Sequence, residues 1–419
     1  MKRILFISYF FPPLGGSGVQ RPVKQVKYFR KKGWKVDVVS VKDIIFNSFD
    51  ETLLDDCGDF DIFRTKTFDP MGILYLFQKS NSVDNKIYNG TKENLKSLIR
   101  TSFPVDEKIG WFLPAVWKCL LLIGKNNYDL IFSSCLPASS GLIAYFLSEI
   151  SGIKFAVDFR DLYFLNPYPR FLTPLHKFIG FQLEKRLMIH AEFIVTSTRS
   201  SRDDLMKLYG KRYGKKIIYS YNGWDEDDFK SEVSSNSNKF TIRFTGNLYS
   251  NQTSLYFVKA LKKIKKDNPE LLENVAINFV GNYFANEAAY LSDKEFKELI
   301  EITPQVEHRV AIEKMQSADL LLIFLSSVKS DGVVPGKLFE YLRSGRPIFG
   351  MVPPQGECAE LMLEHGHELI CPQENVDLII KNLKKILTHK EYYKLVSRKF
   401  NPQYCRRNQM NAIMERIEC

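Results

Sequence analysis

Gly332, Pro335, Gly336, Lys337 and Glu340 fall within one stretch, Asp331 to Gly350, whose order suits the capture of an anion. A glycine-bearing loop that feeds a helix aims free backbone N–H groups and the positive end of the helix dipole at one point. Lys337, at the helix start, adds a full positive charge. Glu340, one turn further, can accept hydrogen bonds from paired hydroxyls such as those of a ribose. An ordinary loop–helix turn with a solvated Lys and Glu has the same local pattern, so the stretch is weighed against the rest of the chain.

The elements that must hold these residues follow from the apolar pattern. Asp319 to Leu325 is a short apolar run that predicts a buried parallel strand. Lys337 to Arg343 predicts a helix stopping near Gly345, and Pro347 to Met351 another buried strand. The N-terminus has the same layout: a strand over Lys2 to Phe10, a loop containing Gly15 and Gly16, a helix over Val19 to Lys32, and a strand over Val36 to Val41. Gly15 and Gly16 let the backbone approach a ligand closely. The loop lacks a spaced G-x-G-x-x-G, which points away from a nicotinamide dinucleotide. On the helix, Val19, Val23 and Val26 take one face, and Lys24, Lys27 and Lys31 another. That lysine face is either solvated or a dock for an anionic membrane surface.

Further along, Asp129 to Ser134 predicts a strand, Ser139 to Ile150 a helix, and Ile153 to Asp158 a strand ending in Asp158-Phe-Arg-Asp161. Polar residues at the C-terminal end of such a strand sit where open α/β sheets bind ligands. Asp158, Arg160 and Asp161 are therefore candidates to face a substrate; the structural alternative is an ion pair of Arg160 with either aspartate. A helix over Phe178 to Ile189 and strands over Glu192 to Ser197 and Ile217 to Tyr221 follow. Next come Asn222-Gly-Trp-Asp225 and a Ser/Asn-rich linker from Lys230 to Lys239. Asp225 and Asp228 suit a helix cap or linker better than a metal site. Phe240 to Thr245 then opens a second βα series, with Gly246 and Asn247 in its first loop. Val275 to Gly281 is a strand, and His308 is expected to cap or pack a turn. Glu374 to His389 predicts a surface helix and Tyr392 to Cys419 a helical tail. Asp43 to Lys108 is the least informative region; Phe103 to Trp117 predicts a helix with an exposed apolar side.

Composition sets the outer bounds. A chain of 419 residues with 45% hydrophobic content suits two or three globular domains. No apolar run approaches the length of a membrane span, and Met1-Lys-Arg-Ile begins a strand and not a signal peptide. The seven cysteines are scattered without a C-x-x-C pair, as for reduced thiols in a cytoplasm, and no metal ligand set involves the six histidines. The net charge of +11 favours anionic partners. No nucleic-acid-binding motif is present, so nucleic acid is not expected among them.

The Asp331–Gly350 stretch resembles the donor motif of retaining GT-B glycosyltransferases, family 4 in particular, in the subgroup carrying Pro335-Gly336-Lys337-Leu338-Phe339-Glu340-Tyr341. The N-terminal Tyr9-Phe-Phe-Pro-Pro-Leu-Gly-Gly-Ser-Gly-Val-Gln-Arg21, the Asp158-Phe-Arg-Asp161 turn, and Asn222-Gly-Trp-Asp225 at the passage between domains resemble the same family. What this implies is a GT-B fold, α/β, with two Rossmann-like domains and a ligand cleft between them. The expected domains are residues 1–222 for the acceptor, onto which a C-terminal helix at about 400–419 packs back, and 223–399 for the nucleotide-sugar. The implied donor contacts are Gly15, Gly16, Asn222, Gly246, Asn247, Pro335, Gly336, Lys337, Leu338 and Glu340. Asp158, Arg160, Asp161 and Lys337 are the implied catalytic set.

The chain departs from the family in three respects. Gly332 replaces an earlier motif Glu, Cys135-Leu-Pro137 stands where many members have a histidine, and Asn247 and Gln252 stand where a cationic pair usually meets the diphosphate. Lys337 and the helix dipole are the nearest replacements for that pair.

The expected activity is retaining transfer of a sugar from a UDP- or GDP-sugar to a saccharide or lipid-linked acceptor, without metal or other cofactor. Its expected setting is bacterial surface polysaccharide assembly, in the cytoplasm or peripherally on the inner face of the plasma membrane. A sugar-nucleotide epimerase of the same fold, and a non-catalytic nucleotide-sugar-binding or scaffold protein, are the alternatives.

Overall fold

The computed structural model describes residues 1–42, 44, 46, 49–55, 58, 60–70, 103, 105–166, 171, 173–229, 233, 237–248, 252–396 and 398–418. Much of the region from Asp43 to Lys108, most of the linker from Lys230 to Lys239, and Cys57 and Cys419 lie outside the described residues. The chain forms two compact units: Met1–Tyr221 with Gln409–Cys419, and Asn222–Asn408.

The first unit is built on strands β1 (Arg3–Ile7), β2 (Lys35–Val41), β3 (Ile62–Thr65), β4 (Leu130–Cys135), β5 (Phe155–Phe159), β6 (Phe193–Thr196) and β7 (Ile217–Tyr219). They pair in the order β3-β2-β1-β4-β5-β6-β7, every pair parallel. The central strands are buried from end to end, which is why they read as unbroken apolar runs and not as alternating ones. The crossovers are helices α1 (Ser17–Lys31), α2 (Phe112–Ile123), α3 (Ala138–Ser151), α4 (Pro174–His190) and α5 (Arg199–Tyr209). Helix α2 begins nine residues later than the Phe103 start expected for it, and its apolar side is exposed at Leu113 (72%) and Trp117 (68%).

Helix α1 corrects the expected lysine face. Every residue from Arg21 to Phe29 is buried, with Lys24 at 1% and Lys27 at 3% exposure; Lys31 alone of the three lysines is exposed. The ammonium groups of Lys27 and Lys31 both lie over the Tyr28 ring. Lys24 and Lys27 are therefore not part of an exposed basic face. Its charges do follow the helical period, but two of the three lysines are packed inside the fold.

The second unit repeats the plan with β8 (Phe240–Thr245), β9 (Val275–Val280), β10 (Ile300–Thr303), β11 (Leu320–Phe324), β12 (Ile348–Met351) and β13 (Ile370–Cys371), in the parallel order β10-β9-β8-β11-β12-β13. Its helices are α6 (Leu255–Asp267), α7 (Ala285–Leu291), α8 (His308–Gln316), α9 (Gly336–Ser344), α10 (Glu357–Glu364), α11 (Val376–Thr388) and α12 (Lys390–Leu395). The expected single helical tail is broken. Helix α12 ends at Leu395, a short turn stands at Pro402–Tyr404, and α13 (Arg406–Glu418) follows. Pro402 disfavours helical geometry at Asn401 before it, and the Asn401 side chain caps the new turn by accepting from Gln403 N. From Gln409 on, α13 belongs to the first unit, where Met410, Ile413 and Met414 join the core. There Gln409 accepts from Ser220 Oγ and from Tyr221 N. Among the described residues no helix is long and apolar enough to cross a membrane.

Candidate active site

In the second unit, the expected donor residues gather at the C-terminal ends of β8 and β11. Tyr341 on α9, fully buried, ties that helix to the end of β8: its hydroxyl lies 2.9 Å from Thr245 N and 3.0 Å from Thr245 Oγ1. Just beyond Thr245, Gly246 has φ +97°, the region that favours glycine. Its N–H donates to Val280 O and its carbonyl accepts from Tyr283, so Gly246 contributes room rather than a free amide. A Cβ there would stand 3.0 Å from Lys337 Nζ. Asn247 Oδ1 accepts from Asn282 N at 2.8 Å, tying the loops after β8 and β9.

The loop from β11 to α9 is held at its start by Glu374, which accepts from Ser326 Oγ, Ser327 N and Ser327 Oγ. It ends at Pro335, which caps α9 with extended geometry and offers no side-chain oxygen to the first amides of the helix. Those first amides belong to Gly336 and Lys337, which carry the positive end of the dipole. Asn222 lies against this turn, its Nδ2 3.5 Å from where a Cβ of Gly336 would be. Gly345, at φ 70°, ends α9. Leu338 departs from its expected role. Its side chain is fully buried in the core and its N–H donates to Pro335 O, so it packs the helix and offers nothing to a donor.

Lys337 is half-buried, with Nζ 3.8 Å from the centroid of the Phe244 ring. Burial pulls its pKa down to about 7, against the opposing charge of Glu340. Glu340 is 8% exposed. Its Oε1 is 2.8 Å from His308 Nε2, and His308 Nδ1 lies 3.8 Å from Asp228 Oδ2. His308 opens α8, but it reaches across to α9 instead of merely packing its own turn. Asp225 caps the turn at Glu226–Asp228 by accepting from Asp227 N, as its sequence position suggested. Among the described residues no group of three His, Cys, Asp or Glu side chains is placed to hold a metal ion. Arg243 on β8 is committed elsewhere, to Asn278, Ser317 and Lys314 O.

In the first unit, the glycine loop and the Asp158–Asp161 turn do come together, but as a buried network. Asp158 is fully buried, with Arg21 Nε and Nη2 each 2.7 Å from its oxygens and Gln25 Nε2 also at 2.7 Å. Arg21 Nη1 donates onward to Ser220 O. Asp158 therefore anchors α1 and does not face a substrate, and its ion partner is Arg21, not Arg160. Arg21 and Gln25 were missed as a pair, although a spacing of four places them on one helix face.

Arg160 is half-buried and donates to Gly18 O and Leu136 O, bridging the first turn of α1 and the loop after β4. Burial lowers its pKa, opposed by the charges of Asp161 and Asp158. Asp161 is exposed. Gly15 is buried, and Gly16, half-buried at φ 91°, caps α1.

Comparison with known proteins bears on the fold and on the class of protein. The family described as Glycosyl transferases group 1 matches residues 239–389, which contain the whole α9 site except Asn222 and Asp228. No curated protein matches the chain by sequence. Among solved structures, sucrose-phosphate synthase from Thermosynechococcus elongatus aligns with 100% of this chain and 94% of its own, at 12% identity and a TM-score of 0.62. A mutant TarM from S. aureus, in complex with Fondaparinux, alpha-GlcNAc-glycerol and UDP, covers 100% of both chains at 9% identity and a TM-score of 0.63. A UDP-N-acetylglucosamine 2-epimerase from Rickettsia bellii covers 100% of this chain and 96% of its own, at 12% identity and a TM-score of 0.54. Two parallel-sheet Rossmann-like units and full-length likeness to these structures establish the GT-B fold, and the family match over the second unit supports a glycosyltransferase on it.

Proposed function

We propose that the protein is a retaining glycosyltransferase that moves a sugar from a UDP- or GDP-sugar to a saccharide or lipid-linked acceptor. The observation that carries this reading is the start of α9, with Lys337 beside Gly246 and Glu340 one turn further on. On this reading the diphosphate rests on the Gly336 and Lys337 amides and against the Lys337 ammonium, and Glu340 accepts from the ribose hydroxyls. Asn222 lines the same turn. Lys337 and the dipole then stabilise charge that grows on the departing diphosphate, the task of the cationic pair absent at Asn247 and Gln252. In the first unit, Gly15, Gly16, Arg160 and Asp161 are assigned to the acceptor and the reacting sugar, and Asp158 to holding α1 through Arg21. No bound metal takes part in this scheme. Bacterial surface polysaccharide assembly is the proposed setting. The similar TarM structure, solved with UDP, supports the donor class.

The epimerase among the similar structures keeps a second reading open. A thermal-shift panel of UDP-, GDP-, ADP-, dTDP- and CMP-sugars tests the site first; one class is expected to stabilise the protein, and Lys337→Ala and Glu340→Ala to abolish the effect. Incubation of that donor with and without candidate acceptors then separates the activities. Acceptor-dependent release of nucleoside diphosphate, with the anomeric configuration kept in the product by NMR, is expected. Epimerised donor formed without acceptor would replace this reading with the second, and an unshifted panel would overturn both.

A further inference from the structure

We infer that His308 is a positioning residue that sets the carboxylate of Glu340 for the nucleoside hydroxyls; this rests on the reading of Glu340 given above. A carboxylate accepts from two vicinal hydroxyls only when its plane is turned to meet both, and the side chain of a glutamate carries several rotatable bonds. His308 removes that freedom. Its Nε2 stands 2.8 Å from Glu340 Oε1, and its other ring nitrogen lies 3.8 Å from Asp228 Oδ2, so the imidazole sits between two carboxylates, hydrogen-bonded to the first and within ion-pair range of the second.

All three side chains are close to nine-tenths buried, with relative exposures of 12% for His308, 10% for Glu340 and 13% for Asp228. In such surroundings a charged hydrogen bond is worth more than at the surface. The far end of the clamp is itself braced. Asp228 sits in the short turn that Asp225 caps, and Glu226 in that turn pairs with Arg343 of α9 at 2.9 Å. Arg343 also stacks over Phe229, which follows the turn. Segment 225–229 and helix α9 thus form one bracket, with His308 as the strut that meets Glu340 inside it.

The test is the preference for a ribose over a deoxyribose, which a loss of general stability would not change. Dissociation constants are measured by calorimetry for UDP and 2′-deoxy-UDP, and for GDP and 2′-deoxy-GDP, against wild type, Glu340→Ala, His308→Ala, His308→Gln and Asp228→Asn. Wild type is expected to favour the ribonucleotide of one pair by about tenfold or more, the value of a hydrogen bond to a charged group. His308→Ala is expected to cut that ratio to about twofold. His308→Gln, whose amide can donate to Oε1, restores most of it, and Asp228→Asn loses a smaller part. In turnover, His308→Ala raises the donor KM and leaves kcat and the acceptor KM near wild type.

A folded His308→Ala protein with the wild-type ratio, beside a Glu340→Ala protein that has lost it, overturns the role of His308 alone. If Glu340→Ala keeps the ratio, or wild type binds neither pair, the ribose reading of Glu340 falls and this inference falls with it. Should His308→Ala fail to fold, the ratios of His308→Gln and Asp228→Asn decide: a wild-type ratio for Asp228→Asn would count against the clamp.

Discussion

Lys337 makes the sharpest use of the site's electrostatics. Its pKa of about 7 in the empty protein means that near neutral pH only about half of the molecules carry the charge the diphosphate needs. Bound phosphate oxygens favour the ammonium and hold it protonated well above that pH. Affinity for a nucleotide-sugar should then fall as the empty site loses its proton. The protonated fraction drops from about one half at pH 7 to about one hundredth at pH 9, so binding should weaken about 50-fold, or about 2 kcal/mol.

A nucleotide-sugar is the proper probe, because its pyrophosphate diester keeps both charges across this range. Calorimetry at pH 8 in buffers of different ionisation enthalpy should show uptake of about 0.9 proton per donor bound. Lys337→Met should bind weakly, with no pH slope and no uptake. Stability moves the opposite way. The folded pKa lies below the ordinary 10.5, so the unfolded chain holds more protons between the two values, and the empty wild type gains stability as pH rises from about 7 toward 10.5. Lys337→Met should therefore melt above wild type at pH 7, by a margin that shrinks at pH 9. Equal affinities at pH 7 and pH 9 without proton uptake would refute the placing of Lys337 against the diphosphate.

Three substitutions probe the scaffold around the two sites. Gly246→Ala puts a side chain at φ +97° and 3.0 Å from Lys337 Nζ; the protein should lose about 1–2 kcal/mol in chemical denaturation and bind the donor several-fold more weakly. Asp158→Asn removes the charge facing Arg21, whose side chain is 6% exposed. A loss of about 3 kcal/mol in chemical denaturation is expected, with donor affinity at the second unit unchanged. Tyr341→Phe leaves Thr245 N and Oγ1 without their 2.9 and 3.0 Å partner, which should cost about 1–3 kcal/mol and shift the thermal midpoint down.

The two sheets were legible because parallel strands buried on both faces read as apolar runs: Leu320–Phe324 and Ile4–Ile7 announce themselves. The start of α9 was legible for a similar local reason, since Pro335 and Gly336 close the loop just where the apolar helical pattern begins. What one sequence hides is the pairing of residues far apart. Arg21 and Asp158 are 137 positions apart, and His308 and Glu340 are 32 apart on different helices. Neither distance leaves a periodic trace. Lys24 and Lys27 misled for the opposite reason: charge at helical spacing normally marks a wet face, and only the packing around α1 shows that these two lysines are buried. The break in the C-terminal tail had a local signal, Asn401-Pro402, and could have been read from it.

The most direct test is a crystal structure of the protein soaked with the nucleoside diphosphate of its best donor class. The β-phosphate should lie within about 3 Å of the Gly336 and Lys337 amides and of Lys337 Nζ, with the ribose hydroxyls on Glu340. A diphosphate bound elsewhere in the second unit, with those amides facing water and Glu340 turned from the ribose, would contradict the account.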